Sequence, residues 1–109
     1  MSWQEEMAQE LARGREAERA GAQGKARTSA RRAVGVVLAE LQRQYPGRVS
    51  GRTILEQLQG VAGDSSFPLD AREAAERLHA RLNPQFESPS IHPVADAQII
   101  IQYVSGLLR

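Results

Sequence analysis

With 109 residues, 41% of them hydrophobic and 25% charged, the chain is too apolar to be disordered and long enough for one domain with one core, spanning 1–109. A net charge of +1 gives no bulk attraction to nucleic acid or to an acidic membrane surface, so neither is an expected partner. The absence of cysteine excludes disulfides, thiolate zinc sites and cysteine nucleophiles.

Aromatic residues make up only 5%, so the core must come from Leu, Val, Ile and Ala, and helices should approach closely. The start, Met1-Ser2-Trp3-Gln4-Glu5-Glu6, has no basic segment followed by an apolar one, so no secretory leader is expected. No apolar run nears the roughly 20 residues of a membrane span. The cytoplasm is the expected compartment.

Ser2-Trp3-Gln4-Glu5 reads as a capping box opening a first helix that runs to about Ala20, with Trp3, Met7 and Leu11 at four-residue spacing. Its second half is polar and contains Gly14, which predicts a weaker end. Gly21 and Gly24 mark the turn. The second helix is the best specified: Ala26, Ala30, Ala33, Val34, Val37, Leu38, Leu41 and Tyr45 fall on one face. Lys25 and Arg32 point away from it, Arg27 and Arg31 flank it, and Pro46-Gly47 ends it.

A short third helix is predicted from Ser50 or Thr53 to Gln59, with Ile54, Leu55 and Leu58 inward. Residues 60–68 form a loop. The fourth helix begins at Asp70, carries Ala71, Ala74, Ala75, Leu78 and Leu82 on one face, and stops at Asn83-Pro84. Residues 83–93 contain three prolines and no periodicity, with Phe86 and Ile91 as the expected anchors. Pro93 opens the last helix, which runs to Leu108 on the stripe Val94, Ala97, Ile101, Val104, Leu108, broadened by Ile100 and Leu107. Its run Gln98–Val104 has strand propensity, but the helical spacing decides for helix. The fold class is therefore all-α, an up-and-down bundle of four to five helices.

Candidate chemistry is sparse. Glu76 and His79 form one Glu-x-x-His pair, whereas metal sites in helical bundles use two such pairs with further glutamates; no metal is assigned. Arg72 and His79 are a possible phosphate-stabilising and proton-shuttling pair, set against two polar positions on the solvent side of the fourth helix. The basic set Arg13, Arg15, Arg19, Lys25, Arg27, Arg31 and Arg32 is interleaved with Glu10, Glu16 and Glu18 and reads as a salt-bridged face. No phosphate loop or nucleophile elbow is present, and no cofactor is implied.

Taken in order, several segments resemble the HEPN family (higher eukaryotes and prokaryotes nucleotide-binding). They are a Trp3-bearing first helix, Gly21-x-x-Gly24-Lys25-Ala26 before an Ala-rich second helix, Ile54-Leu55-x-x-Leu58, Ala74-Ala75-x-x-Leu78 running into Arg81-Leu82-Asn83-Pro84, and a final helix led by Asp96-Ala97. The resemblance implies a helical domain that dimerises, with a nucleotide or a minimal nucleotidyltransferase as partner, and Lys25 and Arg81 as candidate nucleotide contacts. The family's ribonuclease members carry an arginine followed within a few residues by a histidine. Here Arg72 to His79 has that spacing on a different helix, and Arg81 to His92 is too long. The expected activity is thus non-catalytic binding; the alternatives are a ribonuclease toxin and an unrelated helical interaction module. Surplus apolar surface on the last helix, at Ile99 and Tyr103, is the expected homodimer contact, with the charged outer side of the second helix disfavoured.

Overall fold

The computed structural model describes residues 1–81, 85 and 88–109. Every regular element among them is a helix: α1 Trp3–Arg19, α2 Gln23–Gln44, α3 Ile54–Ala62, α4 Leu69–His79 and α5 Pro93–Ser105. The bundle is all-α, as the patterning predicts. α1 packs on α2, α2 on α5, α5 on α4 and α4 on α3, whereas α2 and α3, neighbours in sequence, touch little.

α1 starts where Ser2 Oγ accepts from the Glu5 amide at 3.2 Å, which satisfies one orphan N–H. The polar second half, expected to be weak, is helical through Arg19. Gly14 explains this. It is buried, and a methyl placed on it would lie 2.7 Å from Val94 Cγ2 and 3.6 Å from Ser29 Cβ. The missing side chain lets α1 rest on the small residues of α2 and on the start of α5. Gly24, assigned to the turn by sequence, lies inside α2 with open space around it; the turn falls at Gly21, whose φ is +74°.

These two glycines make a matched test. Alanine in a helix interior is favoured over glycine by about 1 kcal/mol, an upper bound for Gly24 in the first turn of α2. Gly24→Ala should therefore stabilise the domain by roughly 0.5–1 kcal/mol. Gly14→Ala meets Val94 and should lose about 1–2 kcal/mol net. Urea melts of the two variants check this, and equal shifts would rule out a close helix approach at Gly14.

Along α2, Ala26, Ala30, Ala33, Val34, Val37, Leu38 and Leu41 are buried as predicted. Tyr45 is not: it is the C-cap and 38% exposed, because the chain leaves helical geometry there. α3 is set by a complete capping box between Thr53 and Glu56, and it continues past the predicted stop at Gln59 to Ala62. Gly60 is no breaker; it allows close approach to Ser50, whose Oγ would sit 2.7 Å from a methyl at that position. Leu55, expected inward, is 42% exposed, since Leu58 and Val61 define the inner face and position 55 rotates off it.

α4 begins at Leu69, capped by Pro68, and ends at His79 because Ala80 is extended. The helix thus ends four residues before the expected stop at Asn83-Pro84; Leu82, Asn83, Pro84 and Phe86 themselves lie outside the described residues. Ile91 does not anchor the irregular segment; it is 71% exposed. Pro93 opens α5 as predicted, and Val94, Ala97, Ile100, Ile101 and Val104 are buried. The helix ends at Ser105, short of Leu108. Strand propensity at Ile99–Ile101 is overridden by packing between α2 and α4.

Candidate functional site

Two polar constellations, one buried and one partly exposed, tie elements of the bundle together, and sequence reasoning identified neither. In the first, Asp96 in the first turn of α5 is 6% exposed. It accepts from Arg77 Nη2 at 2.7 Å and Nε at 3.1 Å, and from Ser90 Oγ at 2.6 Å. The carboxylate hydrogen bond raises the Arg77 pKa above its ordinary value. A charge this buried is tolerated only when paired and hydrogen-bonded. The network ties α4 to α5 and orders the chain before Pro93, the task sequence reading gave to Ile91.

In the second, Arg48 Nη1 donates to Asp64 Oδ2 at 2.9 Å and Nη2 to Ser66 Oγ at 2.8 Å. Its guanidinium lies 4.8 Å from the Phe67 ring centre. Phe67 in turn meets the Tyr103 ring at 5.2 Å, and Tyr103 Oη donates to the Ser66 carbonyl at 3.0 Å. Hydrogen bonds from the Ser66 hydroxyl and amide, with help from Arg48, hold the Asp64 carboxyl below its ordinary range. The α3–α4 loop is thereby fastened to α5. Tyr103, read from sequence as surplus surface, is half-buried and engaged within its own chain, and Ile99 likewise packs partly against the core.

Arg72 and His79 sit seven positions apart on α4, about 10 Å along the axis. They are not on an open solvent face as expected: both are half-buried. Arg72 Nε and His79 Nδ1 are buried without a hydrogen-bond partner among the described residues, and no hydrogen bond joins the two side chains. Arg31 Nε reaches the same end of α4, donating to the Leu78 carbonyl at 2.8 Å. This satisfies one of the helix's orphan acceptors, and burial followed by the nearby Arg27 charge lowers the Arg31 pKa. His92 is exposed at the N-cap of α5. Among the described residues no group of three His, Asp or Glu is placed to hold a metal.

Two open features flank the α1–α2 hairpin. One is a furrow of about 580 Å³ lined by Arg13, Ala17, Ala20, Lys25, Thr28 and Arg32, among others. A second, of about 690 Å³, takes in Trp3, Glu6, Gly35, Val36, Ala39 and Glu40. Arg32 lines both, so the two follow on from one another along the hairpin. Several rim charges are already matched: Arg13 with Glu10 at 3.2 Å, and Glu40 with Arg43 and Gln44, which bring its carboxyl down to about 2. Lys25, Arg32 and Glu6 have no side-chain partner among the described residues. Lys25 thus lies in an open furrow, as a ligand contact requires, while Arg81 is exposed beyond the end of α4 and is not part of that lining.

No helix among the described residues is long and apolar enough to cross a membrane. No family model matches the chain, and neither a curated protein nor a solved structure matches it significantly.

Proposed function

We propose that this chain is a non-catalytic, HEPN-like helical domain that acts by pairing with a copy of itself. The observation that supports the pairing is the furrow left open along the α1–α2 hairpin, floored by small residues and rimmed by charges of both signs, of which Glu6, Lys25 and Arg32 have no side-chain partner among the described residues. A surface of that kind suits a second protein surface better than bulk water. A minimal nucleotidyltransferase is the further partner that the family resemblance implies. A nucleotide is the small-ligand alternative, favoured by Lys25 and Arg32 standing unpaired in the basic half of the furrow. Its volume lies in the range of about 300–1,000 Å³ usual for ligand sites.

The non-catalytic part of the reading rests on α4. A ribonuclease needs a base within hydrogen-bond reach of the proton it moves and a cation on the same phosphate. Arg72 and His79 are two helical turns apart, and each has a buried nitrogen without a partner. Purified protein is expected to leave RNA intact on prolonged incubation without metal. Cleavage that disappears in His79→Ala or His92→Ala would establish the ribonuclease alternative instead.

A further inference from the structure

Where α2 and α5 end, an open groove of about 320 Å³ is lined by Leu41, Tyr45, Arg48 and Leu107. Local hydrogen bonds fix its walls. Tyr45 and Arg48 are the two ends of a turn through Pro46-Gly47, closed by the Arg48 amide donating to the Tyr45 carbonyl at 3.0 Å. Gly47 has φ +91°, the left-handed geometry that glycine adopts readily at the third position of a turn with proline second. On the other wall, the Leu107 amide donates to the Val104 carbonyl at 2.9 Å. The Arg109 amide donates to Gln44 Oε1 at 3.0 Å, which holds the residues after α5 against the end of α2. Leu41, 1% exposed, belongs to the core beneath. A groove held in this way keeps its shape before any ligand arrives, as ligand sites usually do.

We propose that this groove binds a small uncharged molecule with a ring-sized apolar body and one hydrogen-bond-accepting oxygen. Leu41, Leu107 and the Tyr45 ring supply apolar surface for the body. The volume lies at the lower end of the roughly 300–1,000 Å³ usual for ligand sites, which sets the size. The two polar lining residues set the rest. Arg48 commits its terminal nitrogens to Asp64 and Ser66. Its Nε and the Tyr45 hydroxyl have no hydrogen-bond partner among the described residues, so both remain as donors for an acceptor oxygen. Charge decides against a carboxylate. Arg48 Nη1 already stands 2.9 Å from Asp64, and a second carboxylate would compete with Asp64 for the same guanidinium. The groove thus offers donors without net positive charge. It shares no lining residue with the α1–α2 furrow, so this site holds whether or not the domain pairs.

Three probes of matching size separate body, acceptor and charge. They are acetophenone, α-methylstyrene (a methylene in place of the carbonyl oxygen) and benzoate. Each is titrated into the full chain at neutral pH and followed by amide NMR shifts. Acetophenone is expected to give saturable shifts centred on Tyr45, Arg48 and Leu107. It is also expected to bind about threefold to tenfold more tightly than either of the others, the worth of one hydrogen bond. Tyr45→Phe keeps the ring and removes the hydroxyl. It should weaken acetophenone about threefold or more and leave α-methylstyrene unchanged, a split that a general loss of structure would not produce. Acetophenone shifts that fail to saturate, or that centre elsewhere on the chain, overturn the site. Equal or tighter binding of α-methylstyrene or benzoate, or acetophenone binding indifferent to Tyr45→Phe, overturns the ligand class.

Discussion

Val37→Asp is expected to abolish the folded state. Val37 is 1% exposed at the middle of α2 and belongs to the core cluster with Val34, Leu38, Leu41, Leu78, Ile100 and Val104. An aspartate there has no cation to pair it, and burying an unpaired charge or an unsatisfied carboxyl is among the few changes that cost more than about 4–5 kcal/mol. That equals much of the roughly 5–15 kcal/mol by which a domain of this kind is stable. Val37→Ala separates charge from volume: it leaves a small cavity, should cost on the order of 2 kcal/mol, and should still melt cooperatively. Thermal melts followed at 222 nm (roughly the helix minimum) distinguish the two variants. A wild-type melting temperature for Val37→Asp would mean that α2 buries a different face.

The next largest effect is expected at Asp96. Asp96→Ala removes the acceptor for both Arg77 and the buried Ser90 hydroxyl. Stripping one member from a buried, hydrogen-bonded charge pair costs about 3–5 kcal/mol. The Arg77 side chain is 38% exposed and can rehydrate, which lowers the expectation to roughly 2–3 kcal/mol. Arg77→Ala should also be destabilising, because it leaves the Asp96 carboxylate with Ser90 alone. The double variant should cost clearly less than the two singles added together, giving a coupling above about 1 kcal/mol. Additive losses in urea titrations would mean that the pair does not join α4 to α5 energetically.

What sequence reveals about this fold is what short-range chemistry decides. The buried stripe of α2 and the Pro93 start of α5 depend on residues a few positions apart, and both are legible without coordinates; the sequence leaves the start of α3 open between Ser50 and Thr53, and the structure places the cap at Thr53. Leu55 and Tyr45 mislead because a hydrophobic residue at the edge of a helical face is placed by its neighbours in space. Ile91 misleads more strongly: the only large aliphatic residue in its segment is exposed, and the adjacent Ser90 does the anchoring, 3% exposed against Asp96.

Long-range polar pairs leave almost no trace in a single sequence. Arg77 and Asp96 are 19 residues apart, and Arg48 and Asp64 are 16; in an arginine-rich chain neither pairing stands out from many others. The same holds for the furrow. Lys25 was legible as an exposed cation at the start of a helix, but its place in an open groove needs the antiparallel hairpin to be built first. Arg72 and His79 were legible as a spacing, and the missing information was burial.

Sedimentation equilibrium of the wild-type chain at tens of micromolar, alongside an Ile99→Glu/Tyr103→Glu double variant, tests self-pairing most directly. The expected result is a species of twice the 12.0 kDa chain mass for the wild type, with the association of the correctly folded double variant little changed because Ile99 and Tyr103 pack within their own chain. A wild type that sediments as a single 12.0 kDa species across that range would contradict it.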